Sequence, residues 1–284
     1  MRECEVCGHE TFEICFEKDG HRFHRCTNCD LVRIDPQPTD EVLAKIYGAH
    51  YYDAWGLQTD KGDVERIKAT TFRFNLGDLG TPKKGQKLLD CGAATGFLMG
   101  VAQEMGYEVY GVELSEYGAN AIAERFGKDR VHQGQLEDAN FDGKRFDVIS
   151  MYDFIEHVRD PEAVLRNAFE LLAPGGAISI TTPDTSTLTH KVMRSHWSHY
   201  KVEHIFYFNR DNLKQLLERV GFRGVSSRMA VKGMNLRYFN NVMQTYPVPV
   251  VSRTLGVATK LAPEIVQYTI ARFPMGEMLV SARK

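Results

Sequence analysis

Residues 87–99 read KLLDCGAATGFLM: an apolar run, an aspartate, a turn of small residues with glycine at 92 and 96, then apolar residues again. That succession predicts a strand, a tight turn and a helix, with the backbone at Gly92 and Gly96 able to approach a ligand closely. The alternation continues. YEVYGVEL (107–114) and RFDVISMYD (145–153) read as strands, and Ser115 is placed to cap a helix that stops at Gly127. Asp160 and Pro161 start another helix, with Val164, Leu165, Ala168, Phe169 and Leu172 on one face, before APGG (173–176) ends it. AISITTPD (177–184) is a further strand. Leu213, Leu216, Leu217 and Val220 recur at helical spacing ahead of Gly221, and EMLVSAR (277–283) is a final strand. Repeated strand–helix units imply an α/β fold. Its mostly parallel sheet carries helices on both faces and binds a ligand at the carboxyl ends of the strands.

The acids around the first turn limit what that ligand is. Glu113 ends the next strand 21 residues after Gly92, where a carboxylate accepts both hydroxyls of a ribose. Asp90 lies beside the place a dinucleotide's pyrophosphate would occupy, and an anion there repels an anion. S-Adenosylmethionine presents a sulfonium and an ammonium instead. The turn reads as a site for a cationic nucleoside.

Over residues 86–284 the chain resembles the class I S-adenosylmethionine-dependent methyltransferases. Four stretches carry the resemblance, in order: LLDCGAATG, the acid of VYGVELS, MYDFIEHVRDPEAVL, and LLAPGG leading into ISITTPD. It implies a Rossmann-like domain with a mostly parallel seven-stranded sheet. It also implies that Asp90, Gly92, Ala93 and Gly96 surround the methionine part of the cofactor, and that Glu113, followed by Leu114, meets the ribose. Gln135 and Leu136 line the adenine, while Tyr152 and Asp153 approach the methionine part from the other side. DCGAATG departs from the family's glycine-richer turn.

Ahead of this domain, Cys4 and Cys7 form one CxxC and Cys26 and Cys29 a second, eighteen residues apart. That spacing suits a tetrahedral Zn2+ held by four thiolates, a closed and therefore structural site. A ribbon of residues 1–35 is too small to bury a stabilising core, so the metal supplies much of its stability. Cys15 and Cys91 fall outside the pattern, and His21 and His24 are expected on strand surfaces. Residues 36–85 read as a proline-stiffened linker, a short helix capped near Thr39 or Asp40, an aromatic turn, and a helix over 64–79 that lies across the mouth of the site. An insertion over 232–273 is apolar and proline-punctuated. It reads as a helical cap, with a membrane-surface contact flanked by Arg253 and Lys260, or dimerisation, as the other readings.

Methyl transfer needs a nucleophile in line with the methyl carbon and, for a hydroxyl or an activated carbon, a base. SHWSHYKVEHIFYFN (195–209) is the expected source. His204 accepts a proton at neutral pH, with Glu203 or Tyr207 to orient it, and His199 is a second candidate. His204 reads equally well as a packed histidine, and His157 belongs to the pocket wall. The Glu203–His204 pair is similar to the Glu-His pair of deoxysugar C-methyltransferases, which also begin with a cysteine-rich zinc module. Their amino-terminal tyrosine corresponds to Tyr51 or Tyr52, whereas their further carboxy-terminal domain has no counterpart in these residues.

Composition narrows the partners. With 35 basic against 37 acidic residues, 43% apolar and 25% charged, the chain has the profile of a soluble globular protein without a single-sign field, which disfavours nucleic acid. It opens on the polar MRECEVCGHE, with no secretory signal and no apolar run long enough to span a bilayer, so a reducing cytoplasm is expected. The expected activity is S-adenosylmethionine-dependent methylation of an oxygen or carbon of a small polar molecule, a sugar or natural-product intermediate. A ribosomal or transfer RNA methyltransferase and an inactive cofactor-binding scaffold are the alternatives, and monomer and homodimer both stay open.

Overall fold

The computed structural model describes residues 3–46, 61–245 and 249–284. Strands β1 (Phe12–Lys18) and β2 (His21–Cys26) form a hairpin through Asp19 and Gly20, both at positive φ (50° and 76°). A two-residue turn of that kind matches the twist of the strands it joins. β3 (Val32–Ile34) pairs with β2, and α1 (Asp40–Ile46) follows, Thr39 Oγ1 accepting from Val42 N. α2 (Lys61–Gly77) begins and ends slightly earlier than the helix expected over 64–79. Its Thr71 Oγ1 accepts from Gly233 N at 2.8 Å, and Asp63 Oδ2 from Asn235 Nδ2 at 2.7 Å, which ties it to the main sheet. The aromatic turn with Tyr51 and Tyr52 lies outside the described residues.

The main domain alternates β4 (Lys87–Cys91), α3 (Phe97–Met105), β5 (Glu108–Glu113), α4 (Glu116–Phe126), β6 (Val131–Gln133), β7 (Phe146–Tyr152), α5 (Pro161–Leu171) and β8 (Leu172–Pro183). The caps sit where local chemistry places them. Ser115 Oγ accepts from Gly118 N, Asp160 Oδ1 accepts from Ala163 N, and Gly106 closes α3 at φ 110°. APGG does more than end a helix: it bulges between the pairs Phe146↔Leu172 and Val148↔Ala177 at the start of β8. Then come α6 (Leu188–Met193), β9 (Phe206–Tyr207), α7 (Arg210–Val220), β10 (Arg223–Met234), α8 (Leu236–Thr245), α9 (Pro249–Leu261), α10 (Glu264–Tyr268) and β11 (Ala271–Arg283). The helical insertion is therefore shorter than the expected 232–273, because β10 runs through Met234 and β11 starts at Ala271. β10 has no counterpart in the sequence reading. It is an edge strand with exposed residues on both faces for most of its length, so no clean apolar alternation marks it.

Seven strands run in the order β10-β11-β8-β7-β4-β5-β6, with β11 antiparallel to its neighbours. Leu165 and Ala168 of α5 with Leu213, Leu216 and Leu217 of α7 cover one face; Leu98 and Met99 of α3, Ile122 of α4 and Leu76 of α2 cover the other. Chain direction switches sides at β4, with β5 on one flank and β7 on the other, so the crevice for a ligand opens at their carboxyl ends.

The amino-terminal ribbon is not a separate layer. β9, from the main domain, pairs with β3 (Val32↔Tyr207, Arg33↔Phe206) and completes a four-stranded sheet β1-β2-β3-β9. Cys4, Val6, Phe12 and Leu31 share one buried cluster with Phe206 and Leu213. His24, expected on a strand surface, is buried at this joint. Among the described residues no helix is long and apolar enough to cross a membrane.

Candidate active site

β4 hands over to α3 through a turn built from backbone hydrogen bonds. Gly92 N and Ala93 N both donate to Val112 O of β5, and Gly96 N donates to Ala93 O. Gly92 (φ +74°) has no room for a side chain, since a Cβ would stand 2.7 Å from the Phe154 ring. Ala94 holds φ 50°, which costs a non-glycine residue about 1 to 2 kcal/mol. Its amide is compensated by Glu113 Oε2, which accepts from Ala94 N at 2.7 Å while Oε1 accepts from Ser115 N at 2.8 Å. Gly118 of α4 lies against the Ala94 carbonyl, which explains a glycine in that helix. Glu113 thus organises the turn, and an ionised carboxylate retains lone pairs for a ribose diol after two amide bonds.

The other expected cofactor residues distribute around this corner. Leu114 is 64% exposed beside Glu113, and Gln135 is exposed, while the Leu136 side chain is buried in the core. Asp90 lies beneath the turn rather than at its edge: it is 4% exposed, and its Oδ1 accepts from Ser150 Oγ at 2.8 Å. Tyr152 directs its hydroxyl to Ser179 Oγ at 3.0 Å. Asp153, at φ 53°, takes Thr181 Oγ1 on one oxygen and Lys232 Nζ on the other. Burial acts to raise the Asp153 carboxyl, but the Lys232 ammonium holds it below the usual carboxylate value.

A polar cluster continues from Asp153, whose side chain is 42% exposed, along the carboxyl edge and into the interior. Lys232 Nζ also donates to Glu277 Oε1 at 2.7 Å, and His199 Nε2 donates to Met275 O with Nδ1 3.9 Å from the same glutamate oxygen. Glu156 Oε2 accepts from Thr182 Oγ1 at 3.0 Å, and its backbone oxygen accepts from Ile205 N and Phe206 N. His157 and His204 meet edge to face at 4.6 Å. Burial drives His204 well below the usual histidine value, and its Nδ1 has no hydrogen-bond partner among the described residues. The Tyr207 ring lies 6.0 Å from the His204 ring, but the polar groups of both expected partners turn elsewhere. Glu203 presents its carbonyl to His157 and its carboxylate towards Lys201, and the Tyr207 hydroxyl donates to Lys201 O while accepting from Lys201 N. The carboxylate brought near His204 is Glu156, which the sequence reading passed over, as it did Lys232 and Glu277.

Two groups have the spacing to hold a metal among the described residues: Cys4, Cys7, Cys26 and Cys29, and Glu156, His157 and His204. In the first, Sγ atoms of Cys4 and Cys29 lie 3.5 Å apart and those of Cys7 and Cys26 3.6 Å. Bonds of about 2.3 Å in a tetrahedron put thiolates roughly 3.8 Å apart, whereas a disulfide needs about 2.05 Å. The four cysteines fit zinc. Asn212 Nδ2 donates to Cys29 O at 3.1 Å and Arg219 Nη1 to Val6 O at 2.6 Å, so α7 braces both knuckles.

A family model described as a methyltransferase domain matches residues 64–227, more than half of the chain. The chain belongs to this family. Ubiquinone biosynthesis O-methyltransferase of Coxiella burnetii is 34% identical over 103 residues, 35% of this chain and 44% of that protein. The protein of the same name from Azorhizobium caulinodans is 33% identical over 158 residues, 51% of this chain and 62% of its own length. This methyltransferase domain thus spans between about two fifths and three fifths of these curated relatives. Among solved structures, an S-adenosylmethionine-dependent methyltransferase from Archaeoglobus fulgidus matches with a TM-score of 0.55 at 15% identity, covering 84% of this chain and 100% of its own. One from Thermotoga maritima, described as a possible histamine N-methyltransferase, matches at 0.54 and 19% identity, covering 85% and 98%. The fold is that of the class I S-adenosylmethionine-dependent methyltransferases, with a mostly parallel seven-stranded sheet.

Proposed function

We propose that this protein transfers the methyl group of S-adenosylmethionine to a hydroxyl oxygen of a small polar molecule, a sugar or natural-product intermediate, in a reducing cytoplasm. The observation that carries the reading is the junction at Asp153: the corner suited to a cationic nucleoside adjoins a polar cluster that passes from the partly exposed Asp153 and Lys232 to the buried Glu277, Glu156 and His204. Relatives named as O-methyltransferases support oxygen as the acceptor atom. Glu113 would hold the ribose with Leu114 beside it, Gln135 and Leu136 the adenine edge, and the turn 92–96 the methionine part. A positive sulfur and an attacking oxygen neutralise each other as the bond forms, so a site closed to water favours the transition state. Zinc on the four cysteines would stabilise the ribbon, and its closed coordination leaves the chemistry to the side chains around Asp153.

Transfer of labelled methyl from S-adenosylmethionine to a panel of catechols, sugars and glycosides tests this, with amines and bulk tRNA and rRNA as contrasts. Product on hydroxyl compounds is the expected result. Product on RNA alone, or on amines alone, would overturn it.

Asp90 offers a test that needs no acceptor. Burial pushes its carboxyl up to about 7, Ser150 opposing the rise and Glu113 adding to it. The free fold therefore favours the neutral form, and the stability linked to Asp90 is present at low pH and lost as pH rises through about 7. A cation bound above it favours the carboxylate and expels the proton. S-Adenosylhomocysteine, which keeps the ammonium, is expected to release about half a proton per site near neutral pH, read from calorimetry in buffers of different ionisation enthalpy. Asp90→Asn should abolish that release; a buffer-independent enthalpy in the wild type would remove Asp90 from the cofactor's surroundings.

A further inference from the structure

The ion pairs at the carboxyl edge leave one oxygen unused. Lys232 joins the ends of three strands, with Nζ 3.1 Å from Asp153 Oδ2 after β7 and 2.7 Å from Glu277 Oε1 on β11. The Glu277 side chain is 4% exposed, and its Oε2 is buried and accepts no hydrogen bond among the described residues. A buried carboxyl oxygen without a donor has lost its hydration with nothing in return. At the mouth of a site, such an oxygen is placed to take its donor from a bound molecule.

The backbone holds Glu277 firmly in that place. Gly276, at φ +84°, packs against Thr189 and the Trp197 ring, and its carbonyl accepts from Asp184 N at 3.0 Å. Glu277 then stands opposite Pro183, and from Met278 the strand runs into the core beside β8. A single charged residue heading an otherwise apolar run is not required by the sheet.

We propose that Glu277 is the base of the methyl transfer, its Oε2 accepting the hydrogen bond of the acceptor hydroxyl. The assignment rests on the hydroxyl reading above. As the acceptor oxygen bonds to the methyl carbon, the carbon–sulfur bond breaks and its electron pair leaves on a neutral thioether. The hydroxyl proton passes to Glu277 Oε2 and from there to water once the products depart. Lys232 is a positioning residue: by holding Oε1 it keeps Oε2 from rotating away. The groups facing Glu277 are Lys232 from β10, Asp153 after β7, Glu156 beyond it, and His199 and Lys201 from the segment before β9. Burial lifts Glu277 to about 7, Lys232 opposing and Asp153 reinforcing, which suits a base at neutral pH. His199 is pushed down to about 4 by burial and His204 lies well below its usual value, so neither holds a proton readily. The acceptor class that follows is a neutral hydroxyl compound whose OH is donated into this carboxylate.

The test uses the full, zinc-loaded chain as wild type, Glu277→Gln and Glu277→Asp. S-Adenosylhomocysteine affinity is measured by calorimetry, and kcat and KM with the hydroxyl panel across about pH 5.5 to 9. Glu277→Gln is expected to bind S-adenosylhomocysteine within about twofold of wild type and to lose at least about 100-fold in kcat. Wild type should show an acid limb near pH 7 that Glu277→Gln lacks and the folded Glu277→Asp retains at reduced kcat. Such a limb is something a merely structural glutamate would not carry. If Glu277→Gln keeps wild-type kcat and the same limb, or Glu277→Asp loses the limb, Glu277 is not the base and the hydroxyl reading stands. If wild type methylates no hydroxyl compound, that reading falls and this assignment with it.

Discussion

Glu113→Ala is expected to weaken S-adenosylhomocysteine binding by at least about 100-fold. The glutamate is only 8% exposed and satisfies two backbone amides, Ala94 N in the turn and Ser115 N at the start of α4. Its removal leaves both donors without their acceptor, at about 1 to 3 kcal/mol for each buried group, and takes away the proposed partner of the ribose. Ala94 would then hold its left-handed backbone without the bond that compensates it. Each 1.4 kcal/mol is about tenfold in affinity, and the two lost bonds to the ribose hydroxyls, at about 1.5 kcal/mol or more each, reach the stated effect, while the orphaned amides weaken the free and bound protein alike. Glu113→Gln, which keeps the shape but turns one acceptor into a donor, should fall between. Calorimetric titration decides, and an unchanged dissociation constant would withdraw the ribose role.

Cys26→Ser is the second large effect. Cys26 is fully buried at the end of β2, its Sγ 3.6 Å from Cys7 and its amide bonded to Leu31 O. A structural zinc contributes on the order of 10 kcal/mol to a small ribbon, and losing one thiolate forfeits much of it. The variant should release about one metal equivalent and lower Tm by more than about 10 °C, given roughly 2 to 4 °C per kcal/mol for a domain of this size. Methyl transfer should fall too. The route is physical: β3 pairs with β9, and Ile205 N and Phe206 N, at the start of β9, donate to the backbone of Glu156 in the polar cluster. Wild-type zinc content at wild-type Tm would refute the four-thiolate site, and a lowered Tm with full activity would refute the coupling.

Several features of this site were legible residue by residue. The break from apolar run to small-residue turn at 87–99, the caps at Ser115 and Asp160, the glycines that stop α3 and α7, and the two CxxC pairs are all decided within a few residues. Glu113 belongs with them, because a strand end after one strand–helix–strand unit is reached by counting. Ala94 shows the limit: nothing in DCGAATG says that its third small residue takes the left-handed conformation, since the bond that holds it comes from Glu113. Glu203 and Tyr207 show it again. Neighbours of His204 in sequence, they turn their polar groups to Lys201, and the carboxylate that stands at the histidine comes from a glutamate 48 positions earlier.

Local sequence therefore determined most of the strand–helix units of the main domain, several of their caps, the spacing of the four cysteines and the glycine turn after β4, because helix periods, caps and turns are set by interactions between near neighbours. Tertiary structure alone decided that β9 completes the ribbon and that Asp153, Lys232 and Glu277, separated by 79 and 45 residues, converge on one ammonium. Strand order brings those residues together through the burial of apolar faces far apart in the chain, and no short stretch of sequence carries that information.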